Sequence, residues 1–224
     1  MIKGVLLDFN GTLFFDSHFH ELAWKEISKQ LRGYPMSDEE IKRNVHGKNN
    51  EKIINYLTDN QLEPKENKAV SLEKEAMYRQ MCINDEKKFV LAPGVEEFLN
   101  YLVEKKLPFT IASASIKENI DFFVSSFKLD KWLDPNLIVY DDGNYATKVE
   151  MFNEAAKRLD VDIKECLVVE DSISGIEFAH QCDVAKIIAI NSDKDKEKYQ
   201  EFDYLTDILD DFTTFPYDIF EMEH

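Results

Sequence analysis

No apolar run in this chain reaches membrane-spanning length, which excludes an integral helix of the usual kind. No basic and apolar leader precedes the first strand-like residues, so a secretory signal is not expected and a cytoplasmic location is. Cysteine is scarce. Cys82, Cys166 and Cys182 are an odd set without metal-ligand spacing, expected to be reduced thiols rather than a disulfide framework. Positive charge is also short: 27 Lys and Arg stand against 44 Asp and Glu, a net charge of −17. A field of that sign repels nucleic acid and anionic membrane surfaces, so neither is an expected partner. It leaves room for a phosphorylated ligand, because a bound cation and local lysines reverse the sign inside one pocket. Most of the negative charge reads as a solvated surface. The tail Asp218-Ile219-Phe220-Glu221-Met222-Glu223-His224 adds to it and shows no motif. Internal repeats and low-complexity segments are lacking too.

What is present suits an α/β protein. A length of 224 residues buries one good core and a second, smaller one. Four apolar runs, at 2–8, 109–113, 167–170 and 186–190, are continuous rather than alternating, as buried parallel strands are. Leu137-Ile138-Val139-Tyr140 is a further short strand candidate. Helical stripes lie between the runs. Pro93-Gly94 opens one that carries Val95, Phe98, Leu99 and Leu102; Val149, Phe152, Ala156 and Leu159 make another. Strands alternating with helices predict a doubly wound parallel sheet with a Rossmann-like core.

Residues 16–86 differ, with no convincing strand. Phe19, Ala23, Ile27 and Leu31 fall at helical spacing. Ser37-Asp38-Glu39-Glu40 has the form of a capping box ahead of Ile41 and Val45. Ile53, Ile54 and Leu57 continue the pattern, as do Ala69, Leu72 and Ala76, with Met77 and Met81 as packing residues. The expectation is an α-helical domain of about four short helices at 16–86, inserted into a core made of 1–15 and 87–224.

Polar groups sit at the carboxyl ends of three apolar runs. Asp8 follows Val5-Leu6-Leu7, Ser113 follows Phe109-Thr110-Ile111-Ala112, and Glu170-Asp171 follows Leu167-Val168-Val169. In an open parallel sheet those ends converge on one crevice, where ligands bind. Three carboxylates meeting there repel one another unless a cation neutralises them, and oxygen ligands alone suit a hard ion, Mg²⁺ above all.

These segments together resemble the haloacid dehalogenase-like (HAD) superfamily of phosphoryl-transfer enzymes, in the branch that carries a small helical cap and includes β-phosphoglucomutase-like and phosphoglycolate phosphatase-like members. Asp8-Phe9-Asn10-Gly11-Thr12-Leu13 is similar to its first motif and Ile111-Ala112-Ser113-Ala114-Ser115 to its second. Lys148, ahead of a helix, is similar to the third, and Val168-Val169-Glu170-Asp171-Ser172-Ile173-Ser174-Gly175-Ile176 to the fourth. The resemblance implies that Asp8 attacks phosphorus and carries the phosphoryl group. It implies Mg²⁺ held by Asp8, Asp171 and the Asn10 backbone carbonyl, with Glu170 holding metal waters or Lys148. Ser113 and Lys148 then hold phosphate oxygens, aided by the backbone around Gly11, Thr12 and Ala114.

Two departures stand out. The family carries a carboxyl group at the position of Asn10, to protonate the leaving oxygen and then activate water. An amide hydrogen-bonds but does not exchange a proton usefully, and that transfer is worth roughly two to four orders of magnitude in rate. The usual proline after Lys148 is missing as well.

Other readings stand beside these. One of Ser113 and Ser115 is expected to cap the following helix, and Asp16 reads as a helix N-cap, with a substitute carboxylate for the acid/base role as its second reading. His20 is either a hinge histidine near the acid/base position or a surface histidine on an amphipathic helix. His46-Gly47-Lys48-Asn49-Asn50 resembles a cap loop, which makes Lys48 and Asn50 candidate substrate contacts. The arginine that mutases carry near Asn50 is missing, although Lys48 or Lys74 could contribute charge. The expected function is a monomeric, Mg²⁺-dependent phosphatase of a small phosphorylated metabolite such as a sugar phosphate. The alternatives are a β-phosphoglucomutase-like phosphoryl shuttle and a catalytically weak protein that binds or senses a phosphometabolite.

Overall fold

The computed structural model describes residues 1–221; the last three residues of the acidic tail, 222–224, lie outside the described residues. The chain divides into two compact units, Met1–Phe15 with Leu91–His224, and Asp16–Val90.

The first unit is built on a six-stranded sheet in the order β3-β2-β1-β4-β5-β6, with every pairing parallel. The strands are β1 (Gly4–Leu7), β2 (Phe109–Ile116), β3 (Val139–Asp141), β4 (Cys166–Glu170), β5 (Lys186–Ile190) and β6 (Asp207–Leu209). Their helices are α5 (Val95–Glu104), α6 (Lys117–Phe127), α7 (Lys148–Arg158) and α8 (Ile173–Gln181), numbered after the four of the second unit. Leu6, Val168 and Ala189 pack on one face with Phe152 and Ala156 of α7 and Ile176 and Ala179 of α8. Val5 and Leu7 alternate to the other face and are equally buried, so β1 is covered on both sides and needs its unbroken apolar run. There Phe123 of α6 stacks on Phe9, ring centroids 4.3 Å apart.

Register then places the chemistry. Leu7 is level with Ile111 on β2 and Val169 on β4, so the residues just beyond these positions share one edge of the sheet. β6 was not expected. It is three residues long and buries only Leu209 fully, so it leaves no apolar run to read. The backbone N–H of Ala92 donates to the carbonyl of Leu13 at 2.8 Å, which fastens the point where the chain leaves this unit to the point where it returns.

The second unit is all helical: α1 (Ser17–Arg32), α2 (Asp38–Asn44), α3 (Asn50–Leu57) and α4 (Pro64–Asn84). Its apolar centre is Trp24, Ile27, Ile41, Ile53, Ile54 and Leu57, with Met77 packed against it. The Ser37 capping box is present: Ser37 Oγ accepts from Glu40 N–H at 3.2 Å and Glu40 Oε2 accepts from Ser37 N–H at 3.1 Å. The unit runs to Val90 rather than to residue 86, because the turn after α4 folds back through bonds from Lys88 and Phe89 N–H to Asp85 O.

The stripe expected on α4 is on the wrong face. Ala69, Leu72 and Ala76 are exposed, and the buried side is Asn67, Lys74, Glu75, Tyr78 and Cys82. A helix can turn that side inward only because its polar groups satisfy one another. Lys74 Nζ donates to Glu75 Oε1 at 2.8 Å and lies 2.7 Å from His20 Nδ1, and the Tyr78 hydroxyl donates to Asp16 Oδ2 at 2.6 Å. Among the described residues no helix is long and apolar enough to cross a membrane.

Candidate active site

Asp8 follows β1 directly and is 5% exposed. Its backbone N–H donates to Val169 O at 3.0 Å, which extends the β1–β4 ladder by one residue and brings Asp8 beside Glu170. Lys148, the first residue of α7, reaches between them. Its ammonium donates to Asp8 Oδ1 at 2.5 Å and to Glu170 Oε1. Burial pushes the Asp8 carboxyl up to about 7, opposed by the Lys148 ammonium and reinforced by the Glu170 charge. Burial also works against the Lys148 charge, but Asp8 and Glu170 outweigh it and hold its pKa above that of an ordinary lysine.

Glu170 is fully buried, and its second oxygen accepts from Ser172 N–H at 2.7 Å and Ser172 Oγ at 3.0 Å. Ser172 Oγ also accepts from Gly175 N–H at 3.1 Å, which caps α8. A Cβ on Gly175 would run into the Glu170 carboxylate, so glycine is required there by contact rather than by backbone conformation. Asp171 is fixed twice. Thr12 Oγ1 donates to its Oδ1 at 3.3 Å, and the Tyr199 hydroxyl lies 2.6 Å from its backbone carbonyl. Gly11 has φ +78°, and a Cβ there would collide with the Asp171 carboxylate. Asp8, Glu170 and Asp171 each offer a carboxylate oxygen, all within 4.8 Å of one another.

A second cluster surrounds Asn10. Ser115 Oγ donates to Asn10 Oδ1 at 2.6 Å, Ser113 Oγ lies 3.5 Å from the same oxygen, and Ser115 N–H donates to Ser113 Oγ at 3.3 Å. Neither serine caps the next helix, contrary to expectation. β2 continues to Ile116, which holds the N-cap position of α6 without a side-chain bond. Two further expectations change. The Gly11 N–H is already used within its turn, donating to Phe14 O at 2.8 Å. Thr12 is completely buried and points its hydroxyl at Asp171. Ala114 is exposed on β2.

The remaining expected site residues belong to the helical unit. Lys48 is exposed in the loop that follows Gly47. Asn50 donates to Ser71 Oγ at 3.0 Å and to Glu75 Oε1 at 2.7 Å. His20 is no plain surface residue: its ring stacks on Tyr78 at 4.0 Å, and Nε2 lies 3.1 Å from Asp16 Oδ2. Asp16 does occupy the N-cap position of α1, but only its carbonyl bonds the first turn while its side chain turns to Tyr78 and His20. Lys74, a possible source of charge for a ligand, is 1% exposed and committed to Glu75 and His20.

Ser115, Ser172, Gly175 and Tyr199 were not singled out as site residues. Ser172 and Gly175 were legible in principle, as a cap serine and a glycine three residues apart at the start of an apolar helix. Tyr199 lies 28 residues from its partner in a short 3₁₀ turn and leaves no local signal.

This geometry can be set beside known proteins. A family model described as haloacid dehalogenase-like hydrolase matches residues 2–183. A solved HAD hydrolase of family IA, variant 3, from Entamoeba histolytica is 31% identical, with a TM-score of 0.87 over 94% of each chain. The chloroplastic 5-amino-6-(5-phospho-D-ribitylamino)uracil phosphatase of Arabidopsis thaliana is 26% identical over 180 residues, which are 79% of this chain and 47% of that protein. The bifunctional riboflavin kinase/FMN phosphatase of Arabidopsis thaliana is 34% identical over 103 residues, 45% of this chain and 26% of that protein. The chain thus spans about half, or less, of the length of these curated relatives. The matched span 2–183 takes in Asp8, Asn10, Ser113, Lys148, Glu170 and Asp171, the residues that the sheet gathers at its carboxyl edge, and the chain belongs to the haloacid dehalogenase-like hydrolases.

Proposed function

We propose that this chain hydrolyses small phosphomonoesters through a phosphoryl group carried on Asp8. The observation that carries the reading is the Asp8 carboxylate at the end of the central strand, bonded to Lys148 and grouped with Glu170 and Asp171. An Asp8 oxygen attacks phosphorus, the ester P–O bond breaks, and the leaving oxygen keeps the electron pair and takes a proton from solvent. Water then attacks the aspartyl-phosphate, loses its proton to solvent, and returns Asp8 with release of inorganic phosphate. Lys148 and Ser113 offset negative charge on the phosphoryl oxygens.

The donor set fits a hard divalent cation. Lys148 brings one positive charge to three clustered carboxylates, and burial with the Glu170 charge still outweighs it and pushes the Asp8 carboxyl up to about 7. Mg²⁺ held by Asp8, Asp171 and the Asn10 carbonyl, with Glu170 in support, would screen the approach of two anions and favour ionised Asp8.

Of the candidate contacts in the helical unit, Lys48 is exposed. His20 and Asn50 would have to exchange partners inside that unit to reach a ligand. One plant relative is named as a phosphatase of a 5-phospho-D-ribitylamino compound, and the name of the other includes an FMN phosphatase, which supports a small phosphorylated metabolite such as a polyol or sugar phosphate here. The three cysteines are free and buried, in keeping with a reducing compartment such as the cytoplasm.

The test is phosphate release with Mg²⁺ from FMN, ribitol 5-phosphate and a sugar-phosphate panel, for this chain, Asn10→Asp and Asp8→Ala. Slow release is expected, lost in Asp8→Ala and raised about 10²- to 10⁴-fold in Asn10→Asp. No release by either the chain or Asn10→Asp overturns the reading. Metabolite binding without turnover would favour the binding protein, and isomerised sugar phosphates the mutase.

A further inference from the structure

Asp8, Glu170 and Asp171 form one carboxylate cluster, but their main chains are held differently. Glu170 is part of β4, and the Asp8 N–H continues the ladder to Val169 O. Asp171 lies one residue beyond the last β4–β5 pair, Glu170 opposite Ala189. There a side chain takes over from the ladder. The Tyr199 hydroxyl lies 2.6 Å from the Asp171 carbonyl and 2.9 Å from the Ile190 carbonyl at the end of β5. Both carbonyls only accept, so the phenol is the donor. Its ring is 1% exposed and belongs to the apolar cluster of Ile176, Ile187 and Ala189. Lys198, beside it, bridges to Asp193 at 2.9 Å and ties the turn that carries the ring. A buried aromatic body with one polar tip makes a rigid strut from the core to the Asp171 backbone.

The Asp171 carboxylate meets Thr12 Oγ1 at 3.3 Å, long for a hydroxyl donor, and leaves no room for a Cβ on Gly11. The bond from Tyr199 to the Asp171 carbonyl is the shorter of the two. We infer that Tyr199 is a positioning residue for the cation: by pinning the Asp171 main chain it holds the spacing of the carboxylate cluster and so favours Mg²⁺ over Ca²⁺. The inference rests on the Mg²⁺ site proposed above and not on turnover. Mg²⁺ is the smaller ion and demands near-ideal placement of its ligands, while Ca²⁺ accepts looser and more variable sets. A carboxylate whose main chain drifts therefore costs Mg²⁺ binding more than Ca²⁺ binding. Partners that orient a metal ligand from behind are worth roughly 10- to 100-fold in affinity.

The test is isothermal titration calorimetry of Mg²⁺ and of Ca²⁺, each alone, into the chelator-stripped chain, Tyr199→Phe and Tyr204→Phe. Tyr199→Phe keeps the ring and removes only the hydroxyl. Its Kd for Mg²⁺ is expected to rise about tenfold and its Kd for Ca²⁺ by much less, so that the preference for Mg²⁺ falls. Tyr204 packs against the same apolar cluster, with its ring stacked on His180 at 3.8 Å, and is the control. Tyr204→Phe should change neither Kd. An equal loss for both ions, or an unchanged Kd for Mg²⁺ in Tyr199→Phe, overturns the inference. A second readout needs no variant. Amide hydrogen exchange at residues 170–172 should be slow in the ion-free chain, because Asp171 is held in advance. Fast exchange there, slowed only by Mg²⁺, overturns the inference as well. Absence of Mg²⁺ binding by the chain overturns it together with the metal site. No substrate enters either measurement, so failure of the phosphatase reading, seen as no phosphate release by Asn10→Asp, is read separately.

Discussion

Each unit of this protein buries a lysine, and the two lysines come out with opposite electrostatics. Lys148 in the α/β unit sits between two carboxylates, Asp8 and Glu170, with Asp171 in the same cluster, and its pKa rises. Lys74 in the helical unit has one carboxylate, Glu75, and an imidazole nitrogen of His20, with the Trp24 and Tyr78 rings 5.2 and 5.6 Å away. There desolvation wins and the pKa falls, despite the pull of Glu75. Lys74 is the more deeply buried and has one carboxylate in contact where Lys148 has two, with Asp16 adding only a charge interaction, so desolvation prevails at Lys74. His20 spans the cluster, with Nδ1 2.7 Å from Lys74 Nζ and Nε2 3.1 Å from Asp16 Oδ2. The Lys74 cluster is thereby closed on itself, while the Lys148 cluster has more negative than positive charge and calls for a cation. One reads as architecture and the other as chemistry.

The largest expected effect separates them directly. Lys148→Met should cut kcat by about 10²- to 10³-fold, because a charge-stabilising donor at the phosphoryl group is gone. It also leaves Asp8 and Glu170 facing each other, so stability in urea should fall and be partly restored by millimolar Mg²⁺. Lys74→Met should lose stability without rescue by Mg²⁺, and keep activity as long as the unit stays folded. If folded Lys74→Met loses as much activity as Lys148→Met, the division between the clusters is wrong.

The sequence made the first cluster legible and hid the second, for physical reasons. Asp8, Ser113 and Glu170-Asp171 each close an apolar run, and parallel strands in register must bring such ends to one edge; that deduction needs no side-chain detail. Lys148 came from the family resemblance, since a lysine at a helix start has no signature of its own. Lys74, Glu75 and Asn67 look like solvent-facing residues in any reading by hydrophobic period. They drew the apolar stripe of α4 onto Ala69, Leu72 and Ala76, which are exposed. A polar interior becomes visible only when His20, 54 residues from Lys74, and Asp16, 62 residues from Tyr78, are in place. The same blindness hid Ser115: the last serine of the second motif reads as a cap until the strand is seen to continue to Ile116.

The next effect sharpens the architectural half. Glu75→Gln leaves Lys74 buried with no carboxylate in contact, which should cost about 3–5 kcal/mol of stability in urea titration. Replacing both by apolar residues, Lys74→Met with Glu75→Leu, should recover most of the loss, because the pair is then removed rather than broken. If Glu75→Gln alone is nearly neutral, the cluster is not closed as described, and Lys74 becomes a candidate for a ligand after all.

The smallest effect is a difference in how stability follows pH, with Mg²⁺ removed by chelator. Glu75 is pulled down to about 2: burial opposes its charge, but Lys74 and His20 outweigh it. Between about 2 and the ordinary carboxylate value near 4.5, the unfolded chain binds more protons there than the folded one, so stability rises with pH. Its contribution is complete above that window and is lost as pH falls through it, an amount of roughly 3 kcal/mol. Asp8 runs the other way. Its folded pKa is raised from 3.8 to about 7, so in that window the folded state binds more protons and stability falls as pH rises. Urea midpoints from pH 3 to 8 should therefore climb and then decline. Glu75→Gln should flatten the climb and Asp8→Asn the decline. Mg²⁺ should also flatten the decline, by favouring ionised Asp8 in the folded state. A decline that survives Asp8→Asn would mean that the carboxylate cluster does not set it, and the contrast between an incomplete core cluster and a closed helical one would lose its electrostatic basis.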